Sequence, residues 1–164
     1  MSIHARQGFA ALRGLVYGSA FVFLWAWLAT VVRRYDAGLS ISLPSPLRAL
    51  GVVLACGGAV LAASCIAVFA SRGEGTPAPF DAPRKFVATG PYRYVRNPMY
   101  VGAILLLVGA GFAVLSPSIV LLGFAFWGLT HILVLIYEEP VLTAKFGDDY
   151  ARYKAEVNRW LPRF

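Results

Sequence analysis

Four stretches of this chain carry almost no charge, and each approaches the roughly 20 apolar residues that a helix needs to cross a bilayer. The first runs from Gly14 to Val32, with no charge between Arg13 and Arg33. The second covers about 50–70, beginning at Leu47 or Leu50 and ending at Ala70. The third covers 99–115, from Met99 to Leu115, and the fourth 118–137, from Ser118 to Tyr137. Only Ser116-Pro117-Ser118 separates the last two, which predicts a tight hairpin. A signal peptide does not explain the first stretch. It exceeds the roughly 7–15 residues of a signal core, and Arg33-Arg34 is no small-residue cleavage site. The expected architecture is therefore all-α: a polytopic membrane protein, one domain over 1–164, with four transmembrane helices.

Composition excludes the main alternatives. Hydrophobic residues make up 59% and charged residues 14% of the 164 positions. Soluble domains average about 25% charged residues, so a soluble enzyme or a disordered chain fits poorly. The net charge is nevertheless +7. A nucleic-acid binder would spread its Lys and Arg over a soluble face, and no such face exists here. The charge belongs instead to the loops of a membrane protein.

Those loops give an orientation. With four spans, Arg6, Arg13, Arg72, Arg84, Lys85, Arg93, Arg96 and the basic residues of the tail fall on one side. The tail contributes Lys145, Arg152, Lys154, Arg159 and Arg163. Only Arg33, Arg34 and Arg48 fall on the other. The excess of basic residues marks the cytoplasmic side, so both termini are expected there, in the plasma membrane or a bacterial inner membrane. Gly14 with Gly18, and the row Gly51, Ala55, Ala59, Ala63 and Ala67, suit close helix packing in lipid. Cys56 and Cys65 are about 13 Å apart on one helix, too far to pair, and neither has a neighbouring His. No metal site is expected.

Polar chemistry collects at the expected cytoplasmic side, in the half 71–164. The 71–97 loop is long for a membrane hairpin, and long loops in compact domains are usually functional. It ends Thr89-Gly90-Pro91-Tyr92-Arg93-Tyr94-Val95-Arg96-Asn97-Pro98-Met99-Tyr100. Asn97 and Pro98 read as the N-cap and first residue of the third span. A helix start with Arg96 beside it also suits a carboxylate or phosphate. The fourth span ends His131-Ile132-Leu133-Val134-Leu135-Ile136-Tyr137-Glu138-Glu139-Pro140. His131 and Glu138, seven apart, would share a helical face. His131 is either an interhelical hydrogen-bonding group or part of a site. Glu138 and Glu139 are either a solvated helix end or the anionic corner of one. The tail from Asp148 to Val157 reads as an interfacial amphipathic helix capped by Asp148, with Tyr150, Tyr153 and Val157 on one face. Trp160 and Phe164 suit an aromatic belt. Arg96, the two glutamates and Tyr92, Tyr100 and Tyr137 would together form a pocket for a zwitterionic head joined to an aromatic base. S-adenosylmethionine is one such molecule.

The run Thr89-Gly90-Pro91-Tyr92 through Arg96-Asn97-Pro98-Met99-Tyr100-Val101-Gly102 closely resembles a motif of the isoprenylcysteine carboxyl methyltransferase and phospholipid methyltransferase superfamily. Glu138-Glu139, then Phe146-Gly147-x-x-Tyr150-x-x-Tyr153 and Leu161-Pro162, continue the resemblance in the same order. It covers about the C-terminal half, and Asn97 stands where several members have His. The resemblance implies an integral-membrane, S-adenosylmethionine-dependent methyltransferase built of helices, with S-adenosylhomocysteine as product. It implies cofactor contacts at Arg96, Pro98, Tyr100, Gly102, Glu138 and Glu139; the pocket reading adds Tyr92, Asn97 and Tyr137. Arg96, Glu138, Glu139 and His131 are the expected catalytic groups, the last three as candidate bases for an amine acceptor. The acceptor would be lipid-like, a prenylcysteine carboxylate or a phospholipid amine, entering laterally from the bilayer. A small thiol acceptor, or a non-catalytic membrane transporter or subunit, is the alternative. The sequence leaves oligomeric state open.

Overall fold

A computed structural model describes residues 3–72 and 88–163, and all regular structure among them is helical. Helix α1 (Ile3–Val32) is followed by a 3-10 turn (Arg33–Tyr35) and the one-turn helix α2 (Asp36–Leu39). Helix α3 (Leu47–Arg72) comes next; a second 3-10 turn (Gly90–Arg93) then leads into α4 (Pro98–Ala113). Helix α5 (Pro117–Leu133) passes through a π-helical turn (Val134–Glu138) into α6 (Glu139–Glu156). Most of the long loop, including Arg84 and Lys85, lies outside the described residues.

The surface is inside out for a protein in water. Phe23 is 73% exposed, Val60 69% and Ile136 73%. Stretches this apolar, with so little cover from the rest of the protein, need lipid around them. Among the described residues two helices are long and apolar enough to cross a membrane: Leu47–Val68, and the run within Pro117–Glu156. Pro98–Ala113 is equally apolar but shorter. Spans at 14–32 and 99–115 remain expectations of the sequence.

Helices α3 and α4 touch backbone to backbone. A Cβ on Gly102 would lie 2.8 Å from Gly58 O and 2.9 Å from Ala62 N. One on Gly109 would lie 2.7 Å from Gly51 O. The contact row on α3 is thus Gly51, Ala55, Gly58, Ala62 and Cys65, whereas Ala59, Ala63 and Ala67 of the expected row are exposed. Helical phase explains the difference. Steps of four residues drift by about 40° each, while a step of seven returns to within about 20°. Gly18 has nothing within 4 Å of where its Cβ would be, and the surroundings of Gly14, its expected partner in the row, lie outside the described residues.

The α4–α5 hairpin forms as expected. Ser116 Oγ accepts from Ile119 N at 3.3 Å, capping α5, and Pro117 occupies its first turn. Asp36 ties the opposite connection to this hairpin. Its Oδ1 accepts from Ser116 Oγ at 2.9 Å and from Ser118 N at 3.0 Å. Helix α1 meets α5 through aromatic edges, with Trp25 and Phe126 ring centroids 4.5 Å apart. The remaining architecture brings one end of α4 against the π turn and α6.

Candidate active site

Tyr100 and Glu138 begin the site. Phe126 and Thr130 of α5 and Val134, the first residue of the π turn, are buried at four-residue steps, and Glu138 ends that turn four residues on. Tyr100, on the first turn of α4, donates its phenol hydrogen to Glu138 Oε1. The π turn makes this approach possible. It takes up an extra residue and re-aims the side chains that follow, which is why such bulges recur at functional sites. It also breaks the straight seven-residue register expected between His131 and Glu138. His131 Nδ1 instead accepts from Trp160 Nε1 at 3.0 Å, a hydrogen bond to the tail rather than to another helix.

Glu139 faces a different set of partners. Arg96 Nη1 lies 3.1 Å from Glu139 Oε1, with 11% and 13% of the two side chains exposed. Arg159 donates from Nε to Oε1 at 2.7 Å and from Nη2 to Oε2 at 3.1 Å. Adjacent glutamates therefore have opposite electrostatics just beyond the apolar run that ends at Tyr137. Burial raises Glu138 above the usual carboxylate range; the Glu139 charge adds to this and the Tyr100 hydrogen bond only partly offsets it. Burial pushes Glu139 the same way, but the Arg159 hydrogen bonds and the charges of Arg96 and Arg159 outweigh it and hold Glu139 low.

The start of α4 is held by the tail rather than by its own cap. Asn97 occupies the N-cap position, as expected, but its side chain makes no cap. Its Nδ2 donates to Arg159 O at 3.3 Å, its backbone N–H donates to the same oxygen at 3.3 Å, and Arg96 N–H donates to Asn158 O at 2.9 Å. Arg96 is thereby fixed at its backbone. Its side-chain Nε is buried with no hydrogen-bond partner. A buried guanidinium N–H without an acceptor is costly, and an incoming anionic oxygen would remove that cost.

Helix α6 folds back onto this arrangement at Gly147, whose φ of 51° and ψ of −124° a residue with a side chain rarely adopts. The bend carries Tyr150 and Tyr153 inward, leaving them 3% and 8% exposed. Tyr153 donates to Tyr92 O at 2.5 Å, joining α6 to the 3-10 turn. The segment expected as an interfacial amphipathic helix thus turns its Tyr150 and Tyr153 face toward protein. Its tyrosines are walls of the site, because the kink and the tail's return cover them with protein instead of lipid.

Of the expected residues, the structure thus gathers Tyr92, Arg96, Asn97, Tyr100, Glu138 and Glu139. Pro98 is buried in the first turn of α4. Gly102 faces α3, where it serves close packing, and Tyr137 is 40% exposed. Arg159 was missed. Its only sequence signal is a basic residue just ahead of Leu161-Pro162, with its partner twenty positions upstream.

The motif-bearing half has a family counterpart. The phospholipid methyltransferase family model matches residues 47–149, more than half of the chain. The chain belongs to the phospholipid methyltransferase family. Among solved structures, it resembles the eukaryotic intramembrane Ras methyltransferase ICMT (isoprenylcysteine carboxyl methyltransferase), with a TM-score of 0.58 at 19% identity. That superposition covers 99% of this chain and 54% of the other, so this chain spans about half the length of its structural relative. At this identity the likeness establishes the fold. No curated protein sequence matches significantly.

Proposed function

We propose that this member of the phospholipid methyltransferase family uses S-adenosylmethionine to methylate a lipid-like acceptor within the membrane. The observation that carries the reading is the buried Nε of Arg96, which has no hydrogen-bond partner, together with the Glu138 carboxylate that Tyr100 holds, next in sequence to Glu139, the partner of Arg96. A zwitterionic amino-acid end needs that combination of a free donor and a free acceptor. Arg96 binds its carboxylate, and Glu138 takes its ammonium group. Tyr100 orients Glu138, and Glu139 neutralises the part of the Arg96 charge that the ligand does not use. The residues present therefore fit the cofactor.

When bound, S-adenosylmethionine supplies a methyl group on a positively charged sulfur, open to in-line displacement. Tyr92, Tyr150 and Tyr153 help exclude water, and alignment in such a dry site supplies much of the acceleration. A carboxylate acceptor arrives as a nucleophile. An amine acceptor arrives protonated and must lose a proton; Glu138, committed to the cofactor's ammonium group, and Glu139, closed by its arginines, leave that proton to water or to His131. His131 is engaged by Trp160 and is the weaker candidate. We favour a phospholipid amine because the family is that of phospholipid methyltransferases, with a prenylcysteine carboxylate as the competing acceptor.

The proposal includes the topology of four spans, with both termini and the site on the cytoplasmic side. The lipid acceptor then enters laterally between helices while the cofactor arrives from the water. Methyl-labelled S-adenosylmethionine, incubated with purified protein in detergent and either a total phospholipid extract or a farnesylcysteine analogue, tests the reading. Label in the phospholipid fraction is expected. Label in the farnesylcysteine alone would replace the acceptor, and absence of saturable cofactor binding would remove the function.

A further inference from the structure

The tail from Val157 to Trp160 leaves α6 in extended backbone and crosses the start of α4, and every contact it makes there bears on the site. Asn158 O takes the Arg96 N–H, Arg159 O takes both donors of Asn97, and Trp160 anchors the far end on His131. Arg159 is the one residue of this strap that also reaches Glu139, closing both of its oxygens. We propose that Arg159 is a positioning residue: by gripping Glu139 and, through its own carbonyl, Asn97, it sets the spacing between Arg96 and Glu138 that a zwitterionic ligand must span.

The proposal rests on the cofactor-binding reading above. Its physical basis is competition for one guanidinium. Arg96 has Glu139 at 3.1 Å and an unused Nε. Without Arg159, the cation left in contact with Glu139 is Arg96, while Lys154 acts on it only from farther off. The carboxylate then draws Arg96 into a tight fork of its own and removes the free donor from the site. With Arg159 in place, the two Glu139 oxygens are already satisfied, and Arg96 is left able to accept an anion. Arg159 thus acts on the ligand without touching it.

Affinity and stability separate this role from a merely structural one. S-adenosylhomocysteine is titrated by calorimetry into purified wild type, R159A, R159K and W160F, with thermal unfolding measured on the same samples without ligand. Wild type binds saturably. R159A weakens binding about ten-fold, the scale of one charge-assisted hydrogen bond. R159K keeps the charge, loses the fork and falls between the two. W160F removes the anchoring N–H and part of the ring that lies against His131: it lowers the unfolding temperature but leaves affinity within about two-fold, since the Arg159 grip is intact. In the E139Q background, adding R159A causes no further loss of affinity, because the group it acts through is already neutral. Wild-type protein that does not bind removes the cofactor reading and this inference with it. Wild type that binds, with R159A and R159K equal to it, overturns the role of Arg159 alone. If R159A does not fold, R159K and the E139Q pair decide by the same criterion.

Discussion

Arg159 and Glu139 form a two-pronged ion pair, Nε to Oε1 at 2.7 Å and Nη2 to Oε2 at 3.1 Å. Both prongs are charge-assisted, and the planar guanidinium matches the carboxylate in a way that a lysine does not. With Arg96 on the same Oε1, Glu139 becomes the joint between the tail, the start of α4 and the end of the π turn. The behaviour of the site follows largely from this joint.

Neutralising Glu139 leaves two arginines facing each other in a largely buried setting. E139Q is expected to lower stability in detergent by about 3 kcal/mol, the lower end for breaking a buried pair from one side. Thermal or chaotrope unfolding of the purified protein measures it. An unfolding midpoint equal to that of wild type would mean that the pair is solvated and inconsequential.

Acid should loosen the protein through the same carboxylate. Because Glu139 is held below its usual range, its contribution is present above that range and is lost as pH falls through the lowered value. Glu138, raised by burial, works in the opposite sense: its contribution is present below the usual carboxylate range and is lost as pH rises through its raised value. Unfolding midpoints from pH 7 down to pH 3 should therefore fall more steeply in wild type than in E139Q, and E138Q should gain relative to wild type near neutrality. Parallel curves for all three proteins would contradict these assignments.

The phenol on Glu138 has a testable role in binding. Y100F removes a hydrogen bond to a charged group and should weaken S-adenosylhomocysteine binding roughly ten-fold. Its unfolding midpoint should fall as well, because the buried Glu138 carboxylate loses its donor at a cost of about 1–3 kcal/mol. Calorimetric titration gives both the affinity and the heat.

Two glycines of the membrane helices should respond in opposite directions. A Cβ on Gly102 meets Gly58 O at 2.8 Å, and backbone cannot yield as a side chain does. G102A should cost about 2 kcal/mol by forcing α3 and α4 apart. Gly57 has nothing within 4 Å, so G57A should be neutral or stabilising by about 0.5 kcal/mol through helix propensity. Thermal unfolding of the two variants side by side makes the comparison.

At the opposite end, Asp36 caps the hairpin from outside it. D36A removes the acceptor for Ser116 Oγ and Ser118 N and should cost about 1 kcal/mol, typical of a lost helix cap. Cofactor affinity should not change, because Asp36 lies beyond the far end of α5 from the glutamates. A loss of affinity at constant stability would show an unexpected coupling along the helix.

Much of this protein is determined by its sequence alone. Apolar runs bounded by arginines dictate helices, because in lipid each backbone polar group must be bonded within its own segment. Ser116-Pro117 and Asn97-Pro98 mark helix starts through chemistry local to a few residues. The order of Tyr92, Arg96, Tyr100, Glu138 and Glu139 identifies the family. Tertiary structure decided the rest. The four-residue row of small residues on α3 drifts off the contact because phase accumulates along a helix, and only the partner helix shows where the seam runs. The π turn, invisible in composition, separates His131 from Glu138 and aims the glutamates at α4 and the tail. Arg159 lies twenty residues from Glu139, and no local rule pairs charges at that distance. Tyr150 and Tyr153 share a helical face by their spacing, and only the bend at Gly147 decides that this face turns onto the 3-10 turn. Which side chains face lipid and which face one another depends on how helices cross, and a crossing is a property of two segments that neither sequence contains.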